Sequence, residues 1–153
     1  MGGGIALVAA RAGYETYCFD LSADGLTRSR LAAQKFLSRS VEKDRMSQAD
    51  CDAALGRMID TTSMRDLADC DLVIEAIFEN LEVKKVLLGE LNGICKDSTI
   101  FASNTSTLSI TEIAAGTGRD DRMVGIHFCL PAQVMKLIEM SRGSELASQS
   151  LAL

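Results

Sequence analysis

Three side chains in this sequence have the types and order needed to move a proton: Ser106, His127 and Glu139. His127 is the single histidine. It sits near the end of the apolar run Met123-Val124-Gly125-Ile126-His127-Phe128, after Asn104-Thr105-Ser106 and before Glu139. An imidazole titrates near neutral pH, and a carboxylate on one ring nitrogen fixes the tautomer and leaves the other nitrogen as an oriented base. Beside a hydroxyl, such a base could take a proton from an alcohol. Spacing alone leaves a second reading open, in which His127 is a structural residue beside a strand, Ser106 a helix-capping hydroxyl and Glu139 an exposed strand acid.

Composition narrows the setting. The 153 residues suit one domain large enough to bury a core, and 47% hydrophobic with 24% charged residues is the balance of an ordinary globular chain. The net charge is -5, and no dense Lys/Arg stripe is visible, which argues against nucleic acid as a partner. No apolar run has the roughly 18 to 20 residues needed to span a bilayer, and the glycine-rich start lacks the basic and cleavage regions of a signal peptide. A cytoplasmic location with no membrane partner is the expectation. The five cysteines are scattered without a CxxC or Cys/His cluster, so they read as reduced thiols, and no metal site is expected.

The elements that must position the three residues follow from local pattern. Gly4 to Ala12 reads as a short helix closed by Gly13, and Tyr14 to Asp20 as a strand ending on an acid. Ser22 can cap a helix from Ala23 to about Glu42, and Ser47 with Asp50 opens a second to about Arg57, so the two form a helical hairpin. Strands are expected at Ile59–Thr62, at Asp71–Ile77, at Thr99–Ser103, at Met123–Phe128 and from Lys136 to Met140. The Asp71–Ile77 run is apolar enough for a parallel strand with helices on both faces. Asn80 can cap a helix carrying Leu87, Leu88, Leu91, Ile94 and Cys95, and Ser109 with Glu112 a shorter one. The alternation specifies an α/β, doubly wound, mostly parallel sheet with right-handed crossovers. The strand that normally delivers such a chain into its first glycine-rich turn is not present, so the first strand is expected to be missing.

Gly2-Gly3-Gly4-Ile5-Ala6, Tyr14 to Asp20, Asp71 to Asn80, Phe101 to Ser106, Gly125 to Phe128 and Val134 to Glu139 occur in that order. Together they resemble the Rossmann-like NAD-binding domain of the 3-hydroxyacyl-CoA dehydrogenase family, from Met1 to about Gly143. The resemblance implies NAD as cofactor and a (3S)-hydroxyacyl-CoA as substrate, oxidised to the 3-ketoacyl-CoA. It makes His127 the catalytic base, Glu139 its orienting carboxylate and Ser106 the hydroxyl that bonds the substrate oxygen. Gly2 matches the third glycine of the family's GxGxxG turn, whose helix faces phosphate with its amides. Asp20 matches the acid that accepts bonds from the adenine ribose, which favours NAD over its 2′-phosphorylated form. Glu79 and Lys84 match positions near the nicotinamide end, Asn104 lies at a strand's carboxyl end, and Lys43 corresponds to a lysine on the coenzyme A phosphates. Without the resemblance, Glu79 is a helix-start residue, while Lys43 and Lys84 are surface lysines.

The same resemblance marks departures. The family loop His-Phe-Phe-Asn-Pro-Val-Pro is here His127-Phe128-Cys129-Leu130-Pro131-Ala132-Gln133, with an amide and a proline lost. Residues 144–153 form a divergent tail, and the family's helical C-terminal domain is expected to be absent, so residues 1–143 are read as a partial NAD-binding domain. Another class of reading therefore stands beside the enzyme: a noncatalytic, truncated binding or interaction module that pairs an exposed sheet edge with another chain. The expected partners are therefore a homo-oligomer or another chain paired through the exposed sheet edge.

Overall fold

The computed structural model describes residues 1–115, 117–135 and 137–143. Its elements run α1 (Gly2–Arg11), β1 (Thr16–Phe19), α2 (Ala23–Glu42), α3 (Gln48–Gly56), β2 (Met58–Thr61), β3 (Leu72–Glu75), α4 (Leu81–Asn92), β4 (Ile100–Ser103), α5 (Ile110–Ala114), β5 (Met123–Phe128) and β6 (Ile138–Arg142). Single 3-10 turns at Met64–Leu67 and Asp120–Arg122 complete the list. The chain divides into two compact units, one made of Met1–Ser63 and Leu130–Met135, the other, among the described residues, of Met64–Cys129 with 137–143.

In the first unit β1 pairs in parallel with β2, Thr16 opposite Met58 and Phe19 opposite Thr61. The capping residues act as the sequence implies: Ser22 Oγ accepts from the Gly25 amide and Ser47 Oγ from the Asp50 amide. Helix α1 brings Ala6, Leu7 and Ala10 against Ala33 and Leu37 of α2 and Cys51 and Ala54 of α3, with Met58 of β2 completing the core. Small residues on α1 allow that approach, and at Gly3 even a methyl group would collide with Ser29 Oγ. Gly13 ends α1 at φ +102°, the left-handed conformation that only glycine adopts without strain.

In the second unit the strand order is β3-β4-β5-β6. The first three are parallel, and β6 returns antiparallel to β5 with His127 opposite Glu139 and Gly125 opposite Ser141. Phe101, Ala102, Met123 and Val124 are fully buried, as are Leu88 and Ile113 from the helices. Gly125 has no room for a side chain, because a Cβ there would overlap Ser141 Oγ and lie 2.9 Å from Ile110 Cδ1. At the opposite end of the sheet Arg119, only 5% exposed, takes the place of a hydrophobic plug. Its guanidinium donates to Asn92 Oδ1 and to the carbonyls of Asn92, Cys95, Lys96, Asp97 and Thr99, and lies 4.8 Å from the Phe101 ring centre. These bonds satisfy the orphan carbonyls at the end of α4 and in the turn into β4.

The parallel pairings and helical crossovers are those of the doubly wound α/β plan, but the strands fall in two sheets, since β1 and β3 share no ladder. Leu72, Val73 and Ile74 of β3 are accordingly half-buried rather than sealed on both faces.

Candidate functional site

Within the first unit, Gly2 is the first residue of α1, Asp20 follows β1, and Lys43 caps the C-terminal end of α2 with its side chain exposed. Met1 offers no side-chain cap to α1, and a Cβ on Gly2 would meet nothing within 4 Å, whereas Gly3 and Gly4 lie against Ser29 and Gln133. Asp20 Oδ1 accepts from the Ser22 amide at 2.8 Å, which orients the carboxylate at the strand end. Oδ2 lies where a Cβ on Gly25 would approach it to 2.9 Å, so glycine there keeps the acid in place. An acceptor at a parallel strand's carboxyl end and uncapped helix amides are the donor and acceptor set that a dinucleotide's ribose and pyrophosphate need, so these residues fit the implied NAD.

The second unit holds the remaining residues in two polar groups, one around Glu75, Glu79 and Lys84 and the other the His127–Glu139 pair. Asn104 is buried, and its Oδ1 accepts from the Phe128 amide at 2.9 Å while its own amide donates to the Glu75 carbonyl. It thereby fixes the exit of β4 against β3 and β5. The following turn is gathered by Glu79, whose Oε1 accepts from Thr105 Oγ1, from Thr107 Oγ1 and from the amides of Ser106 and Thr107 at 3.1 and 3.3 Å. Burial pushes the Glu79 carboxyl up, but these hydrogen bonds and the Lys84 charge outweigh it and bring it down to about 2. Ser106 itself is exposed.

Lys84 is 0% exposed, which corrects the expectation of a surface lysine. Its ammonium donates to both Glu75 oxygens at 2.9 Å and lies 3.5 Å from Glu79 Oε2. Glu75, 4% exposed, also accepts from Ser103 Oγ and from the Ile77 amide. The sequence reading overlooked Glu75, Ser103, Thr105 and Thr107. Glu75 carried a signal, because an acid inside an apolar strand must find a buried partner. So did Lys84, which shares a helical stripe with Leu88 and Leu91.

His127 and Glu139 meet across the β5–β6 ladder, Nδ1 to Oε2 at 2.8 Å, with side chains 30% and 63% exposed. Nδ1–H donates to the carboxylate, so Nε2 is left with its lone pair and can act as a proton acceptor. The cysteines supply no comparable group: burial raises the thiols of Cys51, Cys70 and Cys95 and pushes Cys18 up to about 11. Among the described residues no three His, Cys, Asp or Glu side chains form a metal-ligand group, and no described helix is long and apolar enough to cross a membrane.

The chain is similar to known proteins over nearly its whole length. A probable 3-hydroxybutyryl-CoA dehydrogenase of Deinococcus radiodurans is 40% identical over 98% of this chain and 54% of its own length. The 3-hydroxybutyryl-CoA dehydrogenase of Bradyrhizobium diazoefficiens is 43% identical over 94% of this chain and 49% of its own. A crystal structure of 3-hydroxybutyryl-CoA dehydrogenase from Escherichia coli superposes with a TM-score of 0.96 at 41% identity, covering 99% of this chain and 32% of that one. The chain thus spans about half, or less, of the relatives it matches. The family described as 3-hydroxyacyl-CoA dehydrogenase, NAD binding domain, matches residues 1–152, and the chain belongs to that family.

Proposed function

We propose that these residues form the cofactor half of an enzyme that oxidises a (3S)-hydroxyacyl-CoA to the 3-ketoacyl-CoA, in fatty-acid β-oxidation or butyrate-type metabolism. The 2.8 Å contact of His127 with Glu139 carries the reading. His127 Nε2 accepts the 3-hydroxyl proton, and Glu139 stabilises the imidazolium that results. In reverse, the imidazolium returns that proton to the developing alkoxide. The Ser106 hydroxyl donates to the substrate oxygen. When bound, NAD supplies the acceptor for the hydride leaving C3. Asp20 accepts from its adenine ribose, and the amides from Gly2 onward face its pyrophosphate. Asn104 and Glu79 border the nicotinamide end, where the buried Lys84 serves through its ion pairs. Lys43 meets the phosphates of coenzyme A.

Residues 1–143 act as an NAD-binding domain in this reading, in the cytoplasm, and the expected divergent tail at 144–153 lies outside the described residues. Little turnover is expected from these residues alone, because Leu130 stands where the family carries an asparagine. A homo-oligomer, or pairing of an exposed sheet edge with another chain, belongs to the same reading.

The test is a fluorescence titration of the purified chain with NADH, with Asp20→Ala as control. Saturable binding that the variant loses supports the reading and justifies an acetoacetyl-CoA reduction assay. No binding by a chain with a folded circular-dichroism spectrum rejects it.

A further inference from the structure

Glu75 matters for more than the stability of β3. Three charged side chains meet at the carboxyl end of that strand: the Lys84 ammonium and the carboxylates of Glu75 and Glu79. One cation between two anions leaves one negative charge over, and the geometry decides where it is used. Glu75 holds Lys84 with both oxygens at 2.9 Å, whereas Glu79 stands off at 3.5 Å. The Lys84 and Glu75 side chains are each 1% exposed, so water cannot substitute for either partner. Glu79, left with only the longer contact to Lys84 through Oε2, directs Oε1 at the two amides and two hydroxyls of residues 105–107.

We infer that Glu75 is a positioning residue for Ser106: by satisfying Lys84 it frees Glu79 to hold the Ser106 turn in place. The inference rests on the functional reading of Ser106 given above, while the positioning itself can be measured without cofactor or substrate. Two further bonds place Glu75 for this task. The Ile77 amide donates to its side chain at 3.2 Å, which shapes the connection from β3 to Glu79. The Asn104 amide donates to its backbone carbonyl at 2.9 Å, which docks the start of the Ser106 turn.

Glu75→Gln keeps the size of the side chain and one oxygen for the Ile77 amide, while the Ser103 hydroxyl can turn to accept from the new amide nitrogen, and the charge is removed. Lys84 then has Glu79 as its only counter-ion, and the grip on the turn weakens. Hydrogen exchange of the 153-residue chain, followed by NMR, should show the Ser106 and Thr107 amides exchanging about tenfold faster, with Val124 and Ile126 of β5 unchanged. Glu75→Gln combined with Lys84→Met removes one charge of each sign and again leaves Glu79 unshared, so protection of the two amides returns. A purely structural Glu75 would give no such rescue. Unchanged exchange at Ser106 and Thr107, acceleration extending equally through β5, or a double variant no better than the single overturns the proposal. Should Glu75→Gln fail to fold, Glu79→Gln cuts the same link from its other end, and unaltered loop exchange there overturns it equally. If the exchange pattern holds but NADH does not bind, the positioning stands and the cofactor reading alone fails.

Discussion

Replacing Glu139 should redistribute the proton on His127 between its two ring nitrogens. The contact is 2.8 Å, within hydrogen-bond range for an N–H on a carboxylate. Hydrogen bonds to charged groups contribute about 1.5–3 kcal/mol, and with the side chains 30% and 63% exposed the lower end applies. A stabilisation of about 1.5 kcal/mol favours the Nδ1–H tautomer by roughly tenfold. Glu139→Ala removes all of it, and the Nε2–H form should gain about tenfold. Glu139→Gln keeps a neutral acceptor of about half the strength, so its shift should be about threefold. Because the sequence has one histidine, long-range proton–nitrogen correlation spectra of the labelled chain contain a single pair of ring nitrogens. They are recorded at about pH 8 to 9, where an ordinary imidazole is neutral. Nitrogen shifts in Glu139→Ala identical to the parent's would refute the argument that Glu139 sets which nitrogen is free to act as base.

Two further outcomes follow from the second unit. Gly125→Ala forces a methyl group onto Ser141 Oγ and Ile110, which should cost about 1–3 kcal/mol in a urea titration and push β5 from β6; unchanged stability contradicts the close approach there. Glu79 has a folded-state value of about 2 against an ordinary 4.5, so its contribution is complete above pH 4.5 and is lost as the pH falls through about 2. Protection of the Ser106 and Thr107 amides should therefore decline over that window in the parent chain, and Glu79→Gln should show no such step.

Local signals wrote most of the element boundaries. Ser22, Ser47, Asn80 and Ser109 each cap the helix expected of them, because a side-chain oxygen on an amide three residues on is a contact within one turn. Helix α2 and strand β5 lie where the pattern puts them, at Ala23–Glu42 and Met123–Phe128. The fourth helix stops at Asn92, so Ile94 and Cys95 belong to the turn beyond it although they continue its spacing. Gly93 and the carbonyl network of Arg119 end it there. Strand β6 runs Ile138–Arg142, later than the expected stretch from Lys136, which itself lies outside the described residues. Which strands pair is a long-range choice that alternation of elements does not encode, and the ladders β1-β2 and β3-β4-β5-β6 come from the structure alone. Among the site residues, the His127–Glu139 pairing came from the family resemblance, and the antiparallel register of β5 and β6, which alternation does not encode, is what opposes the two side chains. The burial of Lys84 was hidden by treating its charge as evidence of exposure, although its helical position pointed inward. Glu75 escaped notice for the complementary reason, as one acid in a run otherwise read for its hydrophobicity.

Arg119 ties down the stretch between Asn92 and Thr99 chiefly by main-chain oxygens. A carbonyl is the same group whatever residue carries it, so the exposed Lys96 and Asp97 can drift in identity without loss of these bonds. Position 119 has no such latitude, because a lysine brings three donors on a point charge in place of a planar fork of five. Substitution tolerance should therefore be uneven here, with a permissive turn dependent on one intolerant residue more than twenty positions away.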